Sequence, residues 1–155
     1  MSTKYFTADL HFGHTNIIKY CNRPFSSVDE MDSTLIRNWN ENVQPEDEAY
    51  ILGDFTIRRE GHAKGYLSAL NGKKHLIIGN HDLFLQEFGE TEGWFEWVKD
   101  YEIIMHGGTR FMLFHYPIVE WYGFENAPYI CMDISTTVGL LLLGIHRTPE
   151  CSTLE

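Results

Sequence analysis

Basic residues are scarce in this chain: 12 lysines and arginines stand against 22 aspartates and glutamates among 155 residues, a formal net charge of −10. Proteins that wrap nucleic acid by charge carry a basic stripe that releases counterions from phosphate, so strong nonspecific nucleic-acid binding is not expected. Cysteine is scarce as well. Cys21, Cys131 and Cys151 form no CxxC pair and no disulfide-framework spacing, which fits reduced thiols in a cytoplasmic protein. No basic n-region followed by an apolar stretch opens the sequence, so secretion is not expected. The most apolar segment, Val138 to Ile145, is far too short to cross a bilayer, so no membrane association is expected.

What is present is the composition of an ordinary globular domain. Hydrophobic residues make up 43% and charged residues 22%, and ten phenylalanines and four tryptophans imply bulky packing. The length fits one domain over 1–155. The acidic excess has two readings, a solubility device or carboxylates kept for cations.

Lys4 to Ala8 reads as a first strand, ending at Asp9. Between Val28 and Val43 the apolar residues Val28, Met31, Leu35, Ile36, Trp39 and Val43 keep helical spacing, behind a capping box of Ser27 and Glu30. Glu48 to Leu52 reads as a strand ending at Gly53-Asp54, and a helix from His62 to Leu70 stops at Asn71-Gly72. Lys74 to Ile78 is the next strand, followed by Gly79-Asn80-His81-Asp82. Strands near Val98 to Met105 and Arg110 to His115 flank a hairpin turn at His106-Gly107-Gly108-Thr109. The class is therefore mixed α/β (α+β). Asp9, Asp54, Asn80 and His115 each stand at or just after a strand's carboxyl end, where layered α/β folds collect ligands. If those strands are neighbours, the four residues share one site.

The chemistry of each segment supports that. In an extended Asp9-Leu10-His11, residues two apart share a face, so a carboxylate and an imidazole grip one cation together. Asp54 has two oxygens and can bridge two divalent ions, although Gly-Asp is also a common turn. Gly79 permits a tight turn, Asn80 offers a neutral carbonyl ligand, and His81 offers a proton near neutral pH. His115 adds an imidazole after an apolar run, where a hydrogen-bonded core histidine is the competing reading.

The ordered series of DxH, GD, GNHD and a histidine after a strand resembles the calcineurin-like metallophosphoesterase superfamily. Asp9-Leu10-His11-Phe12-Gly13-His14, Asn16-Ile17-Ile18 and Cys21-Asn22-Arg23-Pro24-Phe25 resemble a small bacterial and phage branch of that group. The resemblance covers roughly residues 4 to 125. It implies a β-sandwich flanked by helices and two divalent metal ions, Mn²⁺, Fe or Zn²⁺, with Mn²⁺ favoured. It also implies hydrolysis of phosphodiester or phosphomonoester bonds in a small phosphorylated or nucleotide-like substrate. By the same resemblance, Asp9 and His11 bind the first metal, Asp54 bridges, and Asn80 and His115 bind the second. His81 then acts beside the phosphate as general acid or transition-state stabiliser. Two ions roughly 3.5–4 Å apart lower the pKa of a shared water and supply the attacking hydroxide near neutral pH.

One departure stands out. The superfamily closes its site with a GHxH motif, one histidine for each metal, and the nearest counterpart here is Gly144-Ile145-His146-Arg147. His146 is the stand-in for the first metal. The second is left with Asp54, Asn80 and His115, unless Glu120 or Asp133 replaces the missing ligand. The segment 127–155 reads as divergent or incomplete, which leaves a second class of function open: a degenerate scaffold of the same fold that binds a protein partner. His14 and Arg23 are candidate substrate-binding residues, Arg23 because a guanidinium grips two phosphate oxygens at once. A plain loop histidine and a surface arginine are the competing readings. Arg58 and Arg59 read as solvated charges, and His62, His75 and His106 as structural or surface residues. Trp121-Tyr122-Gly123-Phe124 reads as core or as a cleft wall that stacks on a base.

Overall fold

The structure is a computed structural model that describes residues 2–88, 91, 93–117, 129–131 and 143–145. In chain order it runs β1 (Lys4–Thr7), α1 (Thr15–Tyr20), α2 (Val28–Asn42), β2 (Glu48–Leu52), α3 (Glu60–Ala69) and β3 (Lys73–Ile77). A 3-10 turn over Leu83–Gln86 follows, then β4 (Trp97–Lys99), β5 (Tyr101–His106), β6 (Thr109–Phe114), β7 (Tyr129–Cys131) and β8 (Leu143–Ile145). Five strands form one sheet in the order β4-β3-β2-β1-β8, with β1 to β4 mutually parallel and β8 antiparallel to β1. A second sheet has the order β5-β6-β7, built on the expected antiparallel hairpin of β5 and β6.

Alternation along the strands explains the layers. In β2, Ala49 and Ile51 join the cluster made with Met31, Leu35 and Trp39 of α2 and with Ala63 and Leu67 of α3. Their neighbours Tyr50 and Leu52 point the other way, to Phe6, Ile77 and Leu113, where the second sheet covers the first. Successive side chains on a strand face opposite sides, so a strand covered on both faces reads as a nearly continuous apolar run. The mixed α/β (α+β) class, with two stacked sheets and flanking helices, is the one expected.

Helix α2 begins as the sequence predicts, with the Ser27 hydroxyl accepting from the Glu30 N–H at 3.2 Å. The Glu30 carboxylate returns to the Ser26 N–H (2.9 Å) rather than to Ser27. The strand expected from Val98 to Met105 is broken at exposed Asp100. Residues 97–99 pair with β3, and residues 101–106 cross to the second sheet. An apolar pattern carries no mark of a strand that changes sheets at a bend. The consequence for function lies in the parallel order. Because β1, β2 and β3 are neighbours, their carboxyl ends open on one edge, immediately before Asp9, Asp54 and Asn80.

His75 of β3 lies between the sheets, stacked on Tyr50 at 4.4 Å and 4.9 Å from the Trp97 ring. It is buried, and neither ring nitrogen has a hydrogen-bond partner. Burial pushes its pKa below the ordinary histidine value. The unfolded chain therefore binds the proton more readily, and this residue's contribution to stability falls as pH drops through about 6.5. We expect His75→Phe, which keeps a stacked ring, to stabilise the fold by about 1 kcal/mol at neutral pH. Urea denaturation at pH 8 and pH 5 should show the gap from wild type widening at the lower pH.

Candidate metal centre

Regular pairing of β1 with β2 stops at Thr7 and Ile51, but the two chains stay in contact beyond it. The Asp9 N–H donates to Gly53 O at 3.1 Å, His11 N–H to Asp54 O at 2.9 Å, and Phe12 N–H to Phe55 O at 2.9 Å. Asp9, His11 and Asp54 are held at φ of +50°, +53° and +54°. This left-handed region costs a residue with a side chain on the order of 1–3 kcal/mol and persists where the surroundings over-determine it. The extended geometry expected for Asp9-Leu10-His11 is thus replaced by a turn. The two side chains still converge, with His11 Nε2 3.5 Å from Asp9 Oδ1.

Asp54 is the centre of the arrangement. Its Oδ2 lies 3.5 Å from His11 Nε2, and its Oδ1 lies 3.6 Å from His115 Nε2. Oδ1 also accepts the His81 backbone N–H at 2.8 Å. His115 stands 3.1 Å from Asn80 Oδ1 through Nε2 and donates from Nδ1 to Leu52 O at 2.8 Å. Two glycines make this approach possible. A Cβ on Gly53 would collide with His115 Nδ1, and one on Gly79 with Asp54 Oδ1. The Asp54 and Asn80 segments also share one clamp. Asp82 accepts the N–H groups of Asp54 (2.9 Å), Phe55 (2.7 Å) and Gly79 (2.9 Å). The loop after β1 has its own supports. Asp32 of α2 accepts the Gly13 N–H on both oxygens at 3.1 Å and the Tyr66 hydroxyl at 2.8 Å. Thr56 Oγ1 donates to Phe12 O at 2.7 Å.

The donor atoms fit a divalent cation. Ligand atoms of Asp9, His11 and Asp54 all lie within 4.8 Å of one another, and the three residues are buried. Two buried carboxylates this close favour a cation between them in addition to the charge that the Arg23 guanidinium brings to Asp9. Burial lowers the His11 pKa to about 4 against the pull of Asp54, so the imidazole is neutral, as a metal ligand must be. With its proton on Nδ1 for Leu52, His115 turns the Nε2 lone pair toward another acceptor, Asn80 Oδ1. A cation bound between Nε2 and Asn80 Oδ1 would resolve that pairing, as would an Asn80 amide turned to donate to the ring.

Of the remaining residues singled out in the sequence, His81 is 43% exposed at its side chain, with Nε2 3.9 Å from Asp54 Oδ2. Its ring is 5.3 Å from that of His11. The His14 ring lies 5.4 Å from His11 and 6.0 Å from His81, and its pKa is lowered by burial and by those two neighbours. Arg23, expected as a phosphate clamp, is instead only 8% exposed, with Nη1 donating to Leu10 O (3.0 Å) and Nη2 to Asp9 O (2.6 Å). Its guanidinium is engaged by backbone. His146, the Trp121–Phe124 cluster, Glu120 and Asp133 lie outside the described residues. The sequence reading gave no role to Asp32 or Asp82. A signal existed for Asp32, a carboxylate set among the buried residues Met31, Leu35 and Trp39 of α2.

A family model described as calcineurin-like phosphoesterase matches residues 4–143. The chain belongs to the calcineurin-like phosphoesterase family. An uncharacterized protein of Methanocaldococcus jannaschii is 44% identical over 115 residues, which are 73% of this chain and 58% of that protein. The gene 66 protein of Mycobacterium phage L5 is 40% identical over 85 residues, 53% of this chain and 41% of the phage protein. The crystal structure of a protein of unknown function from Aquifex aeolicus superposes with a TM-score of 0.63 at 34% identity, covering 76% of this chain and 62% of that one. The chain therefore spans 41% to 58% of the length of these two curated relatives. Membership supports a metal-dependent phosphoesterase in general terms, with Asp9, His11 and Asp54 as a candidate ligand cluster. Among the described residues no helix is long and apolar enough to cross a membrane.

Asp82→Ala tests the clamp. It strips three buried N–H groups of one acceptor, and a lost charge-assisted bond costs about 1.5–3 kcal/mol. We expect thermal or urea denaturation of the metal-free protein to show a loss of about 3 kcal/mol or more, and calorimetry to show weakened Mn²⁺ binding in whatever fraction folds.

Proposed function

We propose that this chain is a dinuclear-metal phosphoesterase, hydrolysing phosphodiester or phosphomonoester bonds of a small phosphorylated or nucleotide-like substrate in a cytoplasmic setting. The observation that carries the reading is the two-sided Asp54 carboxylate, one oxygen toward His11 and the other toward His115. That is the disposition a bridging ligand needs, with Asp9 and His11 on one side and Asn80 and His115 on the other. The mixed N/O donor set suits Mn²⁺, Fe²⁺ or Zn²⁺, and Mn²⁺ is the ion we favour. When bound, two such ions lower the pKa of a shared water and neutralise charge on the phosphoryl oxygens.

The chain's own residues supply the rest. The Nδ1–H bond from His115 to Leu52 O fixes the ring so that Nε2 faces Asp54 and Asn80. The His81 backbone is tied to Asp54, while its ring is exposed enough to meet a ligand. We assign His81 the transfer of a proton to the departing oxygen, a contribution of roughly 10²–10⁴-fold. His14, beside His11 and His81, is assigned a contact with the substrate phosphate or leaving group.

The deciding experiment is hydrolysis of bis-p-nitrophenyl phosphate by metal-stripped protein with and without Mn²⁺. Turnover is expected only with Mn²⁺. Asp54→Asn should reduce turnover and bound metal together, whereas His81→Ala should lower kcat by roughly 10²–10⁴-fold with metal content unchanged. A folded protein with neither turnover nor bound metal would point to the scaffold instead.

A further inference from the structure

Arg23 has no place in the chemistry above, yet it is a buried cation near the centre whose two terminal nitrogens are both engaged by backbone carbonyls. Its fork spans two successive peptide carbonyls, those of Asp9 and Leu10, which lie between the Asp9 and His11 side chains. We propose that Arg23 is a positioning residue for the Asp9–His11 half of the metal centre, acting through the backbone and not on substrate. The inference rests on the proposed metal centre and adds a role to it.

The backbone accounting explains why such a residue is needed. Asp9 and His11 are both left-handed, at φ of +50° and +53°. The N–H side of this strained segment is held by Gly53 O and Asp54 O. Arg23 holds the carbonyl side. With both sides pinned, neither residue can relax to negative φ without breaking a buried hydrogen bond. A planar guanidinium reaches two adjacent carbonyls at once, whereas a lysine ammonium is a single point charge on a flexible stem.

Delivery of the side chain is equally specific. The chain leaves α1 through Asn22, itself at φ +47°. The Arg23 N–H then donates to Ile18 O at 2.8 Å, and Arg23 O accepts from Phe25 N–H at 2.9 Å. Nη1 also lies 3.5 Å from Met31 Sδ of α2. The guanidinium also interacts electrostatically with Asp9, but charge alone does not call for a fork set on two successive carbonyls.

The test uses the full chain, metal-stripped, with Arg23→Gln and Arg23→Lys. Mn²⁺ binding is read by titration calorimetry, and bis-p-nitrophenyl phosphate hydrolysis is followed across a Mn²⁺ series. We expect the tighter Mn²⁺ affinity to fall at least tenfold in Arg23→Gln and by a smaller factor in Arg23→Lys. Raising Mn²⁺ should restore turnover, with substrate KM at saturating Mn²⁺ equal to wild type. Unchanged Mn²⁺ affinity with a raised KM would overturn the positioning role and make Arg23 a substrate clamp. If Arg23→Gln does not fold, Arg23→Lys, which keeps the charge, carries the same comparison. Wild-type protein that binds no Mn²⁺ would defeat the metal centre itself, an outcome distinct from wild-type binding that the variants leave unaltered.

Discussion

The hydrogen bonds that join the loops after β1 and β2 are the constraint on which the site depends. Asp9 and His11 donate their N–H groups to Gly53 O and Asp54 O, and with those bonds in place three acid or imidazole side chains sit in left-handed backbone. Such strain is tolerated because the Asp9 and His11 N–H groups and the Asp9 and Leu10 carbonyls are all held by hydrogen bonds. Among the described residues, four non-glycine residues have positive φ, and the fourth, Asn22, immediately precedes Arg23. Among the described non-glycine residues this backbone conformation is thus confined to three candidate ligands and to the residue just before the one that braces two of them.

Charge placement follows the same economy. Asp32 and Asp82 are buried and pushed upward in pKa by that burial, while backbone N–H groups act against the push. Each is a local anion spent on holding a loop, Asp32 on Gly13 and Asp82 on Asp54, Phe55 and Gly79. Asp9 and Asp54 present oxygens to imidazole nitrogens at 3.5–3.6 Å, beyond hydrogen-bond length, and Asp54 Oδ1 in addition accepts the His81 N–H at 2.8 Å. Asp54 belongs to both groups, since the carboxylate that faces His11 and His115 also orients the His81 peptide.

Much of this was legible beforehand, though not always for the right reason. Helix α2 could be read because its 15 residues give the apolar stripe four turns in which to repeat. The ligand-bearing strand ends could be read because parallel strands place their carboxyl ends on one edge. Two-residue spacing pairs Asp9 with His11 on an extended chain, whereas a strained turn brings them together, and spacing alone does not distinguish the two. Arg23 was opaque for a chemical reason. A guanidinium satisfies two phosphate oxygens as readily as two peptide carbonyls, and only the fold decides which pair it meets. The break at Asp100 was invisible because both halves of that segment are strand.

The site also joins the two sheets. Asp9, His11, Asp54 and Asn80 come from the first sheet, and His115 follows the last residue of β6 in the second. The His115 ring occupies the space where a Gly53 side chain would be, with Nδ1 on Leu52 O and Nε2 toward Asn80. Leu113, two residues earlier, packs with Phe6, Tyr50, Leu52 and Ile77 on the same inter-sheet face. One strand therefore contributes both core packing and a candidate ligand. A cation held by residues of both layers would bind only the assembled sandwich, and its binding free energy would add to the cohesion of the sheets. The apolar seam, in turn, sets how closely His115 can approach Asp54. Stability and ligand geometry are two consequences of that single contact.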